Sequence, residues 1–244
     1  MEKPKHKAWV KGSHWFVTLS FFILLVTGFE MTMVHPRFYW GEVGNDLTPA
    51  LFEVPVSINY KHGGWDQITP FSDEPNSPVT GVRTFDIFNQ NSWGRSLHFL
   101  GAWILVLVGL LYLILGILTK HFSKHLLPKK KELSSEAIKQ EFKQHINLKI
   151  PPATFGPSYS LFQKSAYLLV IFFLFPVMIL TGFTMSPGIT AAYPFLLKMF
   201  FGAQSARTIH FLASFTLVLF LLVHLVMITK SGFKNQLKGM TTGK

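Results

Sequence analysis

Four long stretches without charged side chains constrain this chain more than any other feature. Asp, Glu, Lys and Arg are absent from residues 12–29, 96–119, 165–197 and 208–229. Each stretch reaches the ~17–25 residues with which a helix crosses the hydrocarbon of a bilayer. The sequence therefore predicts an all-α integral membrane protein, a bundle of four helices at about 12–33, 95–119, 161–185 and 206–230. Pro176 predicts a kink in the third helix, because proline removes a backbone donor.

The distribution of charge predicts the orientation of these helices. Residues 120–164 carry nine lysines against three glutamates, whereas residues 30–95 carry four basic side chains against eight acidic ones. Because basic residues favour the cytoplasmic side, we expect both termini and a loop at about 120–160 in the cytoplasm, and a long periplasmic loop at about 34–94. We interpret residues 1–244 as one membrane domain in a bacterial inner membrane. The net charge of +11 then reflects anchoring to lipid headgroups, and no nucleic acid partner is expected.

Two loop segments add detail to this organisation. The cytoplasmic loop contains SSEAIKQEFKQHI, whose apolar stripe predicts a short helix lying on the inner leaflet. A periplasmic loop of this length is typical of a functional segment or a partner surface. Its His35, His62 and Asp66 have poor spacing for a metal site, so we interpret them as loop surface.

The chain contains no cysteine. This excludes disulfides, thiolate zinc sites, cysteine-ligated iron–sulfur clusters and covalently attached c-type haem. Any metal must be held by histidine, carboxylate or a macrocycle. An imidazole within a bilayer is costly, so a histidine inside a predicted span is a functional candidate. Four of the ten histidines qualify: His14, His98, His210 and His224.

The predicted topology sorts these four histidines into two layers. His98 and His210 open the second and fourth helices on the outer side, whereas His14 and His224 lie on the inner side. His210 and His224 are fourteen residues apart on one helix. That spacing is ~3.9 turns and roughly 21 Å of rise, so both point from nearly the same face. We therefore expect two stacked sites, each with two facing histidines.

Each layer offers two imidazoles and no carboxylate. Such a pair suits the axial positions of a b-type haem, because the porphyrin fills the other four positions. Zinc needs about four protein ligands, or three and a water, and a di-iron site needs carboxylates on the helices. The sequence therefore predicts two b-type haems, with all four histidines as ligands of haem iron and no catalytic residue.

A weak internal repeat surrounds these histidines. RSLHFLGAW (95–103) resembles RTIHFLASF (207–215), and LVTGFEM (25–31) resembles ILTGFTM (179–185). Gly28 and its repeat counterpart Gly182 would let a porphyrin approach the backbone, or would serve close helix packing. A cation precedes three of the histidines by one turn. These cations are either partners of haem propionates or ordinary interfacial side chains: Lys11, Arg95 and Arg207.

This pattern of four helices and four histidines resembles the di-haem cytochrome b subunits of Ni,Fe-hydrogenase and formate dehydrogenase. The loop string YWGEVGNDLTPALFEVP and the helix starts RSLHFLG and ARTIHFL are most similar to the thiosulfate reductase cytochrome b branch. That branch pairs with periplasmic molybdopterin oxidoreductases. The resemblance implies the ligand pairs His14/His224 and His98/His210. The long loop departs from the hydrogenase and formate dehydrogenase pattern.

The resemblance implies an electron-transfer subunit of a respiratory oxidoreductase complex, not the subunit that transforms the substrate. Electrons would pass, in either direction, between quinone or quinol and a periplasmic molybdopterin oxidoreductase, directly or through an intermediate carrier. It also implies a quinone site beside the inner haem, near Lys11, His14 and His224.

Three alternatives remain open at this point. A stand-alone quinone-linked haem oxidoreductase would share the ligands but would not need the long loop. A haem-free membrane anchor would leave the four histidines unexplained. A proton or metal transporter would need polar residues near the middle of the membrane.

Overall fold

A computed structural model describes residues 6–45, 48–54, 91–146 and 159–242. The helices are α1 (Ala8–Val34), α2 (Asn91–Leu118), α3 (Ser135–Ile146), α4 (Leu161–Leu169), α5 (Phe175–Thr184), α6 (Pro187–Ala192), α7 (Phe195–Met199), α8 (Ala203–Lys230) and α9 (Phe233–Met240). A short 3-10 turn covers Lys130–Leu133, and π-helical turns cover Phe122–Leu126 and Val170–Leu174. Two short strands, β1 (Arg37–Phe38) and β2 (Phe52–Glu53), form an antiparallel pair. His62 and Asp66 lie outside the described residues.

Four helical segments are long and apolar enough to cross a membrane. They are Ala8–Met33, Trp93–Leu118, Leu161–Thr184 and Ala203–Lys230. Large apolar side chains on them are exposed, including Phe16 at 57%, Leu107 at 63% and Val223 at 61%. Such continuous exposure would be a liability in water but suits contact with lipid. The predicted all-α membrane fold with four spans is confirmed.

Three of the four helices begin before the predicted start. α1 begins at Ala8 instead of residue 12, α2 at Asn91 instead of 95, and α8 at Ala203 instead of 206. The predicted limits followed the loss of charge, yet a helix can continue past the hydrocarbon into the polar interface. Its first turns there can carry charged side chains whose heads stay solvated.

Pro176 changes the third span without ending it. The helix passes from α4 into the π turn Val170–Leu174 and continues as α5, whose second residue is Pro176. In the π turn the amide of Phe175 donates to the carbonyl of Val170, five residues earlier. A π bulge next to a proline is a known way for a helix to absorb the missing donor. The structure thus has a π turn directly before Pro176, and the kink that the sequence predicts stays a prediction.

The described chain divides into two compact units. The first unit combines Met1–Val17, Val106–Pro176 and Phe215–Lys244, and it contains His14 and His224. The second unit combines Thr18–Leu105 and Val177–Ser214, and it contains His98 and His210. Each histidine pair that the sequence predicts therefore falls within a single unit.

In the second unit, the start of the long loop packs on the N-terminal turns of α8. In the β1–β2 pair, Arg37 lies opposite Glu53, and their side chains form an ion pair with Nε and Oε1 3.0 Å apart. Phe38 stacks on Phe52 and also touches Phe211 of α8. The hydroxyl of Thr208 donates to the carbonyl of Tyr39 at 2.6 Å. These contacts fix residues 37–41 against α8.

In the first unit, the loop before α4 is tied to that helix by two glutamates. Glu132 accepts two hydrogen bonds at 2.8 Å from Nζ of Lys164, whose residue is 6% exposed. This bond is the main reason that the pKa of Glu132 is lowered. Glu141 of α3 accepts from the amides of Leu161 and Phe162 at the start of α4. A carboxylate there satisfies amides that have no partner within the helix and interacts favourably with its dipole.

The C-terminal segment of the first unit packs against the start of α1. Nζ of Lys11 donates to the carbonyl of Thr241 at 3.1 Å, and Nε1 of Trp15 donates to the carbonyl of Met240 at 2.9 Å. Both donors flank His14 in the sequence. The chain end therefore holds the helical turns that carry this histidine.

Candidate functional site

His98 and His210 meet in the second unit. His98 lies on α2 and His210 on α8, and their ring centres are 6.4 Å apart with an angle of 56° between the ring planes. A metal–imidazole bond is about 2 Å long and the ring centre lies about 1.2 Å behind the nitrogen, so two axial imidazoles have centres about 6.4 Å apart. Axial coordination leaves the rotation of each ring free. The spacing therefore fits one iron atom held between the two rings.

A threonine from a neighbouring helix contacts each of these imidazoles. Oγ1 of Thr27 lies 2.9 Å from Nδ1 of His98, and Oγ1 of Thr181 lies 2.9 Å from Nδ1 of His210. Each hydroxyl also donates to the carbonyl four residues earlier, of Ile23 at 2.7 Å and of Val177 at 2.6 Å.

The hydrogen-bond geometry assigns the tautomer of both rings. A hydroxyl has one hydrogen, which the short bond to the carbonyl uses, so Oγ1 is left to accept from Nδ1–H. A neutral imidazole protonated at Nδ1 has its lone pair on Nε2, the nitrogen that can bind a metal.

Gly28 and Gly182 lie beside the same two rings. A methyl group added at Gly28 would lie 3.6 Å from Cε1 of His98, and one added at Gly182 would lie 3.6 Å from Cε1 of His210. Neither contact is closer than ordinary van der Waals distance, so each glycine leaves room beside its imidazole. The arrangement suits a flat macrocycle around the ligand axis, and the predicted role of these glycines in haem packing remains a prediction.

His14 on α1 and His224 on α8 both lie in the first unit. His14 makes an edge contact with the ring of Trp15 at 5.4 Å. His224 stacks on Phe220 and meets the edge of Tyr167 at 6.4 Å. Aromatic walls of this kind suit a planar cofactor held by the two histidines. Among the described residues, no three histidine, aspartate or glutamate side chains converge on a metal site.

The three cations proposed for haem propionates make other contacts. Arg207 donates through Nη2 to the carbonyls of His35 and Arg37 at 2.6 and 2.7 Å, which holds the start of the long loop. Arg95 is exposed, and its guanidinium lies 5.7 Å from the ring centre of Phe99. Lys11 holds the C-terminal segment, as described above. Contact of these side chains with propionates remains a prediction.

A further aromatic cluster lies in the first unit, and the sequence did not predict it. Trp9 lies 5.3 Å from Tyr112 and 5.2 Å from His121, measured between ring centres. Nε1 of Trp9 is buried and has no hydrogen-bond partner within the described part of the chain. Burial lowers the pKa of His121, and the charges of His125 and Lys7 lower it further. Both effects favour the neutral form of this imidazole.

Sequence reasoning also missed the two threonines. A signal was present, because both copies of the internal repeat contain Thr-Gly-Phe, at residues 27–29 and 181–183. The repeat drew attention to the glycines alone. A threonine in a helix ordinarily bonds to its own backbone, so its contact with a second helix appears only in the folded chain.

Comparison with known proteins identifies the family of the chain. Residues 5–243 match the model of the prokaryotic cytochrome b561 family. The chain is 26% identical over 223 residues to the putative protein-methionine-sulfoxide reductase subunit YedZ1 of Azospira oryzae, covering 91% of this chain and 89% of that protein. No solved structure matches the chain. The chain therefore belongs to the prokaryotic cytochrome b561 family and is a multi-pass membrane protein of the b-type haem class.

Proposed function

We propose that this protein is a di-haem b-type cytochrome that transfers electrons across the membrane between the quinone pool and a periplasmic molybdopterin-type oxidoreductase. The observation that carries the proposal is the 6.4 Å spacing of the His98 and His210 rings. With Nδ1 of both rings engaged by threonine, the geometry supports axial binding through Nε2. When bound, a haem supplies a centre that accepts and returns one electron at a time.

The second haem is assigned to His14 and His224. Their place in the same compact unit supports the assignment. His210 and His224 lie on the continuous helix α8, fourteen residues apart, and fourteen residues give about 21 Å of helical rise. In the proposal, α8 supplies one ligand to each pair, and this helical spacing is the basis for expecting two separate haems. Two redox centres so separated connect the two faces of a bilayer.

The quinone site is placed beside the inner haem. Lys11, His14 and His224 belong to it in the proposal. Trp9 and His121 add support, because a buried indole N–H can donate to a quinone carbonyl and a neutral imidazole can take the proton of a quinol. The rings of Trp9, Tyr112 and His121 are half-buried, so a headgroup could reach them.

The partner is inferred from two likenesses. The relative from Azospira oryzae is described as a reductase subunit, and the loop and helix starts resemble cytochromes that pair with molybdopterin enzymes. We place the partner on the periplasmic side, the side to which the charge distribution assigns the long first loop and the His98/His210 pair. The charge distribution supports this orientation, with both chain ends in the cytoplasm.

Histidine replacements test the haem assignment. His98→Ala or His210→Ala should remove one haem and leave the other, and His14→Ala or His224→Ala should remove the opposite one. The measurement is haem content together with a redox titration that separates the two centres. His121→Ala is the matched control, because this imidazole belongs to neither pair and both haems should remain. Retention of both haems in His210→Ala would contradict the pairing.

Quinol reduction tests the electron path separately. A short-chain quinol added to the purified protein should reduce both haems of the wild type. In the His98→Ala protein it should reduce the remaining inner haem at an undiminished rate. Failure of quinol to reduce the inner haem, with dithionite still effective, would contradict the quinone assignment while leaving the haems in place.

A further inference from the structure

Thr27 and Thr181 occupy matching positions around the outer histidine pair. Thr27 is 1% exposed and Thr181 is fully buried. Each precedes the glycine that lies against the same imidazole, Gly28 beside His98 and Gly182 beside His210. The two distances from Oγ1 to Nδ1 are equal, at 2.9 Å. Both copies of the internal repeat therefore build the same arrangement, one at each histidine of the pair.

Each threonine links its imidazole to the helix backbone. The hydroxyl accepts from Nδ1–H and donates to the carbonyl of the residue four before it, with both bonds shorter than 3 Å. Hydrogen bonds in such a chain polarise one another, so the oxygen that already donates becomes a better acceptor. A bond to Nδ1–H fixes the ring orientation and raises the basicity of the other ring nitrogen.

We propose that Thr27 and Thr181 are positioning residues that fix the Nδ1–H tautomer of His98 and His210 and lower the reduction potential of the outer haem. The inference rests on the proposed function, because it requires haem on this pair. A more basic imidazole stabilises the ferric iron relative to the ferrous iron, so the potential falls. The hydroxyl bonds also restrict the rotation of both rings before the haem binds.

Valine tests the role of each hydroxyl, because it has nearly the shape of threonine but cannot accept a hydrogen bond. We expect Thr27→Val and Thr181→Val each to raise the midpoint potential of the outer haem. We also expect that haem to transfer 10–100-fold faster to an excess of a haem-scavenging protein, the usual cost of losing such an outer partner. The double variant should shift the potential further than either single variant, because the threonines act on opposite ligands of one iron.

Three controls separate this role from a merely structural one. Thr27→Ser restores a hydroxyl and should return the potential close to the wild-type value. Thr184→Val removes a buried hydroxyl of α5 that donates to the carbonyl of Leu180 at 2.8 Å, and it should leave the potential unchanged. The inner haem, titrated in the same sample, reports that each variant has folded.

The outcomes distinguish a failure of this inference from a failure of the proposed function. Two haems in Thr27→Val and Thr181→Val, with an outer potential and transfer rate equal to those of Thr184→Val, would overturn this inference and leave the proposed function intact. A wild-type protein without haem on the His98/His210 pair would overturn both. An upward shift that Thr27→Ser reverses supports the inference.

Discussion

Replacing Arg207 with methionine should release the start of the long loop from α8. The guanidinium donates to the carbonyls of His35 and Arg37, and it lies 4.7 Å from the ring centre of Phe38. A hydrogen bond to a charged group contributes about 1.5–3 kcal/mol, and a cation–π contact about 0.5–2 kcal/mol. Both hydrogen bonds come from the same nitrogen, which lies near the surface, so we take the lower end of each energy range. The expected loss in local stability is about 3–4 kcal/mol.

Trypsin measures this loss at the bond after Arg37. Arg37 and Phe38 are 7% and 2% exposed, so cleavage between them requires local opening. When opening and closing are fast, the cleavage rate follows the open population, and about 3–4 kcal/mol corresponds to a rate about 10²–10³-fold higher. Mass spectrometry of the purified protein in detergent should show the fragment ending at Arg37 appearing that much faster in Arg207→Met. The control is Arg95→Met, which removes an exposed arginine and should leave the rate unchanged. Equal rates in Arg207→Met and the wild type would refute the reasoning.

Two further predictions concern other contacts. Glu132→Gln should lower the thermal stability at neutral pH, because it removes the partner of the buried Lys164. The pKa of Glu132 is lowered from 4.5, so the stabilisation is present above that pH and is lost as the pH falls through the lowered pKa. Melting curves from pH 7 to pH 3 should show the melting temperatures of wild type and variant converging only in acid. A difference in melting temperature that stays constant with pH would count against the ion pair. Gly28→Ala should keep the outer haem, because the added methyl makes only an ordinary contact with His98 at 3.6 Å, whereas Gly28→Leu should lose it. Haem content decides, and a Leu variant with full occupancy would show that no macrocycle lies beside Gly28.

The spans and their order were readable from sequence because hydrocarbon imposes a simple rule. A stretch with no charge and enough length can only be a helix there, so the four spans follow from composition alone. The predicted helix starts were less accurate than the spans themselves. Lys11, Arg95 and Arg207 lie within helical turns that continue into the interface. The π turn before Pro176 was not predictable either. A helix can adapt to the backbone donor that proline lacks by a kink or by a π turn, and the sequence does not distinguish the two.

In the candidate site, too, the features that the sequence predicts are local, and the features that it misses are contacts between helices. Fourteen-residue spacing placed His210 and His224 on one face of a helix, because helical rise and twist are local properties. The contacts of Thr27 and Thr181 depend on the register between helices, which no local pattern encodes. Arg207 illustrates the same limit, because its carbonyl partners at residues 35 and 37 are about 170 positions away in the chain.

The number of haems per chain tests the central claim most directly. Purified protein, produced with ample haem supply, would be quantified by the pyridine haemochrome method and by its dithionite-reduced visible spectrum. We predict two non-covalent b-type haems per chain, one for each histidine pair. A chain that binds one haem would contradict the pathway across the membrane, and a chain that binds none would contradict the assignment of all four histidines as ligands.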